Sequence, residues 1–560
     1  MEDTLRENKG KQLSFFVYPA IASLFLLAHG FLLGGNRPFW LDEVFTAYFV
    51  KDPSVSHMIE ANRDAINAFP PMYFLVLRLW AGLFGATEWT LRLFTTVCFC
   101  AGVWVLWTVL QKRFGSLPAA FALTASVVCH WIILEQNVQA RQYGLMFLLG
   151  AIVLSHFAYL TERPRRGWEY FLHTLLHLAM ILTHSLTLIY SGCFLLAGVL
   201  PDVLGKRIDR HTIGRAVAII ASWVLFAVLW GKEVLAQRQA FQPYSWIPTP
   251  NRRTLIEYLL WFPTPLTLIL GGITLLFLLI LWIRFRPQIF DTVRQECLSN
   301  RVHLLLAGIL IALLPGLLLF ILSQKGTSLF LTRYFLLTSM GWAVSIAFLT
   351  SVFVNGLPVV LEHHALYQKT VRVFLLGVPT VLLIAHSFGS LSYRGKSPTP
   401  QPPQIFATLA EWGKLRPVPL FPVFDVETLL DGKYPDLPIG WTDAFAFAPA
   451  HYYKGNRNRY YLLQDYPYVE QSGHRIGFLH SLFINFSALQ RHYPQANVIS
   501  WEEFGKKYHK FLIYDARSHT QGVTWVAYRL LQNPQYRLTV LHTVENRVLY
   551  LVEFIGKRSP

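Results

Sequence analysis

Leu13–Glu43 reads LSFFVYPAIASLFLLAHGFLLGGNRPFWLDE, and its two halves obey different physics. The apolar run Leu13–Gly34 is long enough, at about 1.5 Å of helix rise per residue, to cross a hydrocarbon core of roughly 30 Å. It is too long for a secretory h-region and has no small-x-small cleavage site near its end, so it is read as an uncleaved first span. A polar segment with Arg6, Lys9 and Lys11 precedes it. Behind it come a Pro–aromatic stretch, Pro38-Phe39-Trp40, and two adjacent carboxylates, Asp42 and Glu43. A membrane helix that delivers a pair of acids to a bilayer boundary sets the frame for the other 500-odd residues.

The composition extends that frame to the whole chain. Of 560 residues, 53% are hydrophobic, 15% aromatic and only 14% charged, with a mean hydropathy of +0.38. A soluble domain carries about a quarter of its residues as charges. Further apolar runs lie at Trp89–Leu110, Leu117–Leu134, Tyr143–Leu160, Trp168–Thr183, Leu186–Val203, Ile213–Trp230, Leu266–Ile283, Leu304–Leu322, Leu331–Val354 and Val373–Leu391. The expected fold is therefore a polytopic α-helical membrane protein with about eleven transmembrane helices. Lys and Arg number 49 against 32 Asp and Glu, for a net charge of +17. In a soluble chain that excess would suggest nucleic acid. Here it falls in alternate loops, at Lys112–Arg113, Arg163–Arg166, Lys206–Arg215, Arg284–Arg301 and Lys369–Arg372. That is the positive-inside pattern, so membrane lipids and not nucleic acid are the expected partners, and the N-terminus is placed in the cytoplasm. An odd number of spans then puts the C-terminal region outside.

Past residue 391 the apolar runs stop. Residues 392–404 form a Pro-, Ser- and Thr-rich linker, and 405–560 read as a small extracytoplasmic α/β domain. Its strand-like runs are Tyr460–Leu463, Lys510–Tyr514, Tyr536–Thr543 and Arg547–Phe554, the last two forming a hairpin, with helix-like Trp501–Tyr508 and Thr524–Leu531 between. The five cysteines show no metal-ligand spacing and none follows Cys297, which excludes a disulfide-stapled ectodomain and a thiolate zinc site.

The charged residues outside the spans carry the chemistry. The first outer loop, 35–88, holds Asp42–Glu43 and then Phe69-Pro70-Pro71-Met72-Tyr73, with an apolar second half suited to lying in the interface. Side chains of adjacent helical residues point about 100° apart, so one carboxylate faces a cleft while its neighbour serves a backbone donor. The plainer reading is an acidic N-cap pair. Arg141 lies in Glu135–Tyr143 between spans three and four, where an unpaired guanidinium costs about 2.5–3.5 kcal/mol. His184, Lys325 and Arg333-Tyr334 stand at the same membrane face. Each alone reads as a snorkelling cation or a hydrogen-bonded helix end. Together they match the needs of transfer from a sugar phosphate, in which one carboxylate takes the incoming hydroxyl proton and cations receive the departing phosphate.

The ordered set Leu41-Asp42-Glu43, Pro70-Pro71-Met72-Tyr73-Phe74, Leu83–Leu93, Ala140-Arg141-Gln142-Tyr143, Thr183-His184 and Arg333-Tyr334 resembles the GT-C-fold membrane glycosyltransferases of the protein-mannosyltransferase and aminoarabinose-transferase-like superfamily. The resemblance covers the N-terminal half well and the C-terminal domain only in architecture. It implies that residues 1–391 form the catalytic domain, that Asp42 is the catalytic base or its equivalent, and that Arg141 and Arg333 meet the lipid phosphate; Glu43 is expected to act with Asp42, and Tyr143, His184, Tyr73 and Lys325 to bind substrate. The implied donor is a sugar on a polyprenyl phosphate, the acceptor a lipid, glycan or protein, and the place a bacterial inner membrane. Two positions depart from the pattern. Phe69 stands where the family often has His before the Pro-Pro pair, and Gln139 where it often has an acid before Ala-Arg. Some members of the wider fold use a divalent cation, Mg or Mn, and Gln139 removes a carboxylate that would help to hold one. Three other classes fit a polytopic chain: a lipid-diphosphate-dependent ligase or polymerase, a transporter or flippase, and an anchored binding protein. A transporter would place its ionisable residues mid-bilayer on repeated, broken helices, and no internal repeat is visible here.

Overall fold

The computed structural model describes residues 2–34, 37–67, 69–162, 166–241, 247–260, 302–326, 328–360, 377, 426–453, 457–464, 477–516, 525–544 and 547–556. The expected spans Leu266–Ile283 and Val373–Leu391, the linker 392–404 and the start of the C-terminal domain lie outside them. The helices, in chain order, are α1 (Glu2–Gly34), α2 (Leu41–Lys51), α3 (Val55–Arg63), α4 (Met72–Phe84), α5 (Glu88–Phe114), α6 (Ser116–Leu123), α7 (Trp131–Asn137), α8 (Tyr143–Leu160), α9 (Gly167–Thr183) and α10 (Thr187–Leu204). They continue with α11 (Arg210–Phe241), α12 (Arg252–Leu260), α13 (Val302–Lys325), α14 (Thr338–Val360), α15 (Val426–Leu430), α16 (Ala444–Tyr453), α17 (Gly477–His492), α18 (Trp501–Lys507) and α19 (Trp525–Gln532). The strands are β1 (Ile439–Trp441), β2 (Tyr460–Gln464), β3 (Val498–Ser500), β4 (Lys510–Ala516), β5 (Tyr536–Val544) and β6 (Arg547–Phe554).

Among the described residues six helices are long and apolar enough to cross a membrane: Phe16–Gly34, α5, α8, α10, α11 and α13. All six were expected as spans, and the protein is an integral membrane protein. Three other expected spans take different forms. Leu117–Leu134 is not one helix but two, bent by 62°. A π-helical stretch at Thr124–Val128 leads into the bend, and the His130 imidazole caps α7 by accepting the Ile132 N–H at 3.3 Å. Leu331–Val354 opens as a 3-10 turn at Thr332–Phe335, and the helix starts only at Thr338. Trp168–Thr183 forms as α9, with 17 residues. Helix α11 runs on past Trp230, the expected end of its span, to Phe241. Helix α4, with 13 residues, is too short to span.

The chain divides into two compact units. The first comprises residues 1–37, 69–232 and 247–418, and its core is built from α1 and α5–α14. Small residues let its helices close in. A Cβ on Gly144 would meet the Thr95 carbonyl oxygen at 2.5 Å, and one on Gly341 the Ala312 nitrogen and Gly308 oxygen, both at 2.5 Å. Such contacts are how helices gain van der Waals contact where lipid is as apolar as leucine. Helix α9 is tied sideways by a polar chain. The Trp223 indole, which can only donate, bonds Ser191 Oγ at 2.8 Å, and Ser191 Oγ in turn meets His177 Nδ1 at 2.8 Å. His177 Nε2 meets His173 Nε2 at 3.2 Å, and His173 Nδ1 meets His156 Nδ1 at 3.1 Å.

The second unit comprises residues 38–68, 233–246 and 419–560. Its six-stranded sheet has the order β3-β2-β1-β4-β6-β5. The first four strands are parallel, and β6 and β5 form the expected antiparallel hairpin. Strands β1 and β3, with three residues each, and the long helices α16 and α17 were not foreseen. Segment 38–68 is folded into this unit. Phe39 N–H donates to Tyr453 Oη at 2.8 Å, Asn485 Nδ2 to the Ala65 carbonyl at 2.7 Å, and Arg491 pairs with Asp64 at 2.8 Å.

Asp52 is the buried joint of that arrangement. Its carboxylate accepts from Ser54 N–H at 2.8 Å, Tyr493 Oη at 2.6 Å and His57 Nδ1 at 2.5 Å. Burial works to raise its pKa, but the bonds from Tyr493, Ser54 and His57 outweigh it and hold the carboxyl below its ordinary value of 3.8. A carboxyl depressed on folding contributes stability that is complete above the ordinary value and lost as pH falls through the folded value. Amide exchange of the full-length protein is expected to show residues 52–57 and the end of α17 opening together below about pH 4, and Asp52→Asn to abolish that step. An acid-opening profile unchanged in the variant would show that Asp52 does not hold the joint.

Candidate functional site

The residues singled out in the sequence fall into two groups, one in each unit. In the second unit the backbone at Trp40 is extended (φ −87°, ψ 173°) and turns into α2 at Leu41. Trp40 is therefore the N-cap, not Asp42. Glu43, only 1% exposed, folds its carboxylate back to accept the Trp40 N–H at 3.3 Å. That is half of a capping box, because an indole cannot supply the reciprocal acceptor. Asp42 sits one residue earlier, in the first turn and partly exposed. Its carbonyl accepts from Thr46 Oγ1 at 3.0 Å. The pair thus divides as adjacent helical residues must, with Glu43 spent on the helix end.

In the first unit four of the expected residues come together. Arg141 is 2% exposed and His184 2%, while Tyr143 is fully buried, so the snorkelling reading fails for Arg141. Its guanidinium carbon lies 5.3 Å from the centre of the Phe69 ring, a cation–π contact. The other neighbour of that ring is His184, centroid to centroid 4.9 Å. His184 also packs on Tyr334 at 5.3 Å and Tyr143 at 6.0 Å. It caps the end of α9, and its Nδ1 accepts the Leu186 N–H at 3.3 Å, which leaves the neutral ring with its proton on Nε2. Burial first, then the positive charges of Arg141 and Arg333, push its pKa down to about 3. Arg333 is thus within electrostatic reach, held by the 3-10 turn at Thr332–Phe335, and Tyr190 Oη fastens that turn by donating to the Tyr334 carbonyl at 3.0 Å.

Two residues were missed. Phe69 stood out in the sequence only as a departure, yet its ring joins Arg141 to His184. Glu135 lies within electrostatic reach of Arg333 and takes a hydrogen bond from the Gln136 amide. Its only sequence signal was an acid one helical turn before Gln139. Two expected binding residues sit apart from these contacts. Tyr73 is buried against Phe74 and Phe94, and Lys325 is exposed in the last turn of α13. Among the described residues no three His, Cys, Asp or Glu side chains gather as a metal-holding set. The positive charges of Arg141 and Arg333 make that cluster a poor place for a divalent cation.

A family profile described as dolichyl-phosphate-mannose-protein mannosyltransferase matches residues 68–231, the stretch from Phe69 through His184. A crystal structure of ArnT from Cupriavidus metallidurans bound to undecaprenyl phosphate aligns with a TM-score of 0.50 at 14% identity, covering 96% of this chain and 97% of that one. The apo structure of the same protein gives 0.51 at 14%, covering 97% and 98%. No curated protein matches the sequence. At this identity the structural likeness is one of fold, and it extends over nearly the whole chain. The chain thus shares the fold of that protein.

Proposed function

We propose that this chain is a membrane glycosyltransferase that moves a sugar from a polyprenyl-phosphate donor to a lipid, glycan or protein acceptor on the non-cytoplasmic face. The observation that carries the reading is the packing of Arg141 and His184 on the Phe69 ring, with Arg333 in electrostatic reach of His184, in a GT-C fold: a buried and a half-buried guanidinium gathered with a neutral imidazole. A guanidinium bonds two phosphate oxygens at once, so a lipid-borne phosphate is an anion that this cluster suits. The fold's likeness to a protein crystallised with undecaprenyl phosphate supports the same donor class.

In the proposed reaction the acceptor hydroxyl oxygen attacks the anomeric carbon while the Asp42 carboxylate takes its proton. The bond from the anomeric carbon to the phosphate oxygen breaks, and its electron pair leaves with the polyprenyl phosphate. Arg141 and Arg333 stabilise the charge that collects there. Attack opposite the leaving phosphate inverts the anomeric configuration. The uncharged His184 Nε2–H donates a hydrogen bond without surrendering its proton. Glu43 holds the first turn of α2, and so the position of Asp42.

The test is transfer in proteoliposomes holding the full chain, supplied with radiolabelled polyprenyl-phosphate monosaccharides and a bacterial envelope extract as acceptor. Label is expected to leave the lipid and appear in acceptor with inverted linkage. Transfer from lipid-diphosphate donors alone would instead assign the chain to the ligases and polymerases.

A further inference from the structure

Pro315 stands inside α13. It has no N–H, so the Ile311 carbonyl one turn earlier loses the donor that a regular helix would supply. At the next rung of the same helix a side chain from elsewhere joins the ladder. The hydroxyl of Tyr258, from α12, donates to the Ala312 carbonyl at 2.8 Å and accepts the Gly316 N–H at 3.2 Å. The tyrosine ring takes the room that a side chain at 316 would need, since a Cβ there would fall 1.8 Å from Tyr258 Cε1. Only glycine admits it. A proline and an inserted side chain are two of the few things that set the course of a helix, and both act here within one turn.

The same ring meets the turn that carries Arg333. Tyr258 packs on Phe335 at 4.5 Å and on Phe330 at 5.9 Å between ring centres, and those two pack on each other at 4.7 Å. All three are buried. Phe335 is the last residue of the 3-10 turn Thr332–Phe335. A single turn of this kind has little stability of its own, so what packs on it decides where its residues lie.

The segment that delivers Tyr258 is itself tied down. Gln324 Nε2 donates to the Pro250 carbonyl at 2.7 Å and Ser328 Oγ to the Pro248 carbonyl at 3.0 Å. Tyr258 thus joins a fixed rung of α13 to the turn of Arg333, with its hydroxyl on one and its ring on the other.

We propose that Tyr258 is a positioning residue for Arg333: its hydroxyl registers the ring on the 312–316 rung, and the ring sets the place of the turn and so the affinity for the donor's phosphate. The inference rests on the polyprenyl-phosphate reading above and adds a residue that acts through Arg333.

The test is a double-mutant cycle read by binding of radiolabelled undecaprenyl phosphate to the full chain in nanodiscs. Arg333→Leu is expected to weaken binding by about 10- to 100-fold, as loss of a hydrogen bond to a charged group does. Tyr258→Leu is expected to weaken it by about 5- to 20-fold in the wild-type chain, and by less than about 2-fold once Arg333→Leu is present. Gly316→Ala displaces the ring yet keeps both Tyr258 and Arg333, and is expected to reproduce the Tyr258→Leu loss. Tyr258→Phe keeps the ring and drops the hydroxyl, and should lose about 2- to 5-fold. A tyrosine that served packing alone would weaken binding by the same factor with or without Arg333. Equal factors in the two backgrounds, or unchanged affinity in both Tyr258→Leu and Gly316→Ala, overturn the inference and leave the donor class standing. Unchanged affinity in Arg333→Leu removes Arg333 from the phosphate and overturns the inference by that route. Failure of undecaprenyl phosphate to bind the wild-type chain overturns the donor class and this inference with it.

Discussion

Asp42→Asn is expected to lower sugar transfer by about 10²–10⁴-fold, the usual contribution of a positioned general base. An asparagine keeps the size and the polarity but cannot take the hydroxyl proton. The neighbouring Glu43→Gln is expected to do far less, because its remaining carbonyl oxygen can still accept the Trp40 N–H that the carboxylate now holds at 3.3 Å. Glu43→Ala removes that acceptor and should cost about 0.5–2 kcal/mol of stability, as loss of a helix cap does. The three variants therefore separate chemistry from folding within one turn of helix. Transfer is measured in proteoliposomes at matched protein level, and stability by the detergent-solubilised unfolding temperature. Equal transfer by wild type and Asp42→Asn would leave the glycosyltransferase reading in place and take Asp42 out of its centre. A collapse with Glu43→Gln alone would exchange the two roles.

Arg141→Leu is expected to cost about 10²–10³-fold in transfer, the loss seen when one donor to a developing anion is removed. Its guanidinium is buried and lies 5.3 Å from the Phe69 ring centre, so the loss is of a fixed charge and not of a mobile surface cation. Arg141→Lys should recover only part of the activity. A lysine ammonium keeps the charge but loses the planar group that stacks on a ring and bonds two phosphate oxygens at once. Phe69→Leu, which keeps the apolar volume and removes the ring face, should fall between wild type and Arg141→Lys. The measurement is transfer against donor concentration, together with inhibition by undecaprenyl phosphate. Full activity in Arg141→Leu would show that the departing phosphate is received elsewhere.

The membrane class of the chain was legible in the sequence because bilayer thickness acts on each segment separately. Six of the expected spans are present as single helices, some of them extended at an end, and alternating basic loops needed no tertiary information to be noticed. Where the structure differs, a contact or a cap intervenes. His130 capping a new helix breaks Leu117–Leu134, and the Tyr190 bond to Tyr334 holds a turn where Leu331 would begin a span. The short strands β1 and β3 escaped because three residues carry no period, and only their neighbours in the sheet make them strands.

The candidate site divides along the same line. Asp42, Glu43, Arg141, Tyr143, His184 and Arg333 could be picked out one by one, since charges at a bilayer boundary are costly and stand out against apolar runs. Their chemistry was determined by residue type, and residue type is what a sequence states. The place of Phe69 was not, because an apolar ring between a guanidinium and a neutral imidazole looks like a lost histidine until the two are seen packed on it. Nor could the sequence tell that the Tyr258 hydroxyl meets Ala312 and Gly316, 54 and 58 residues further on. A residue's inventory of donors and acceptors is local, whereas which partners they meet depends on every chain segment that folds around them.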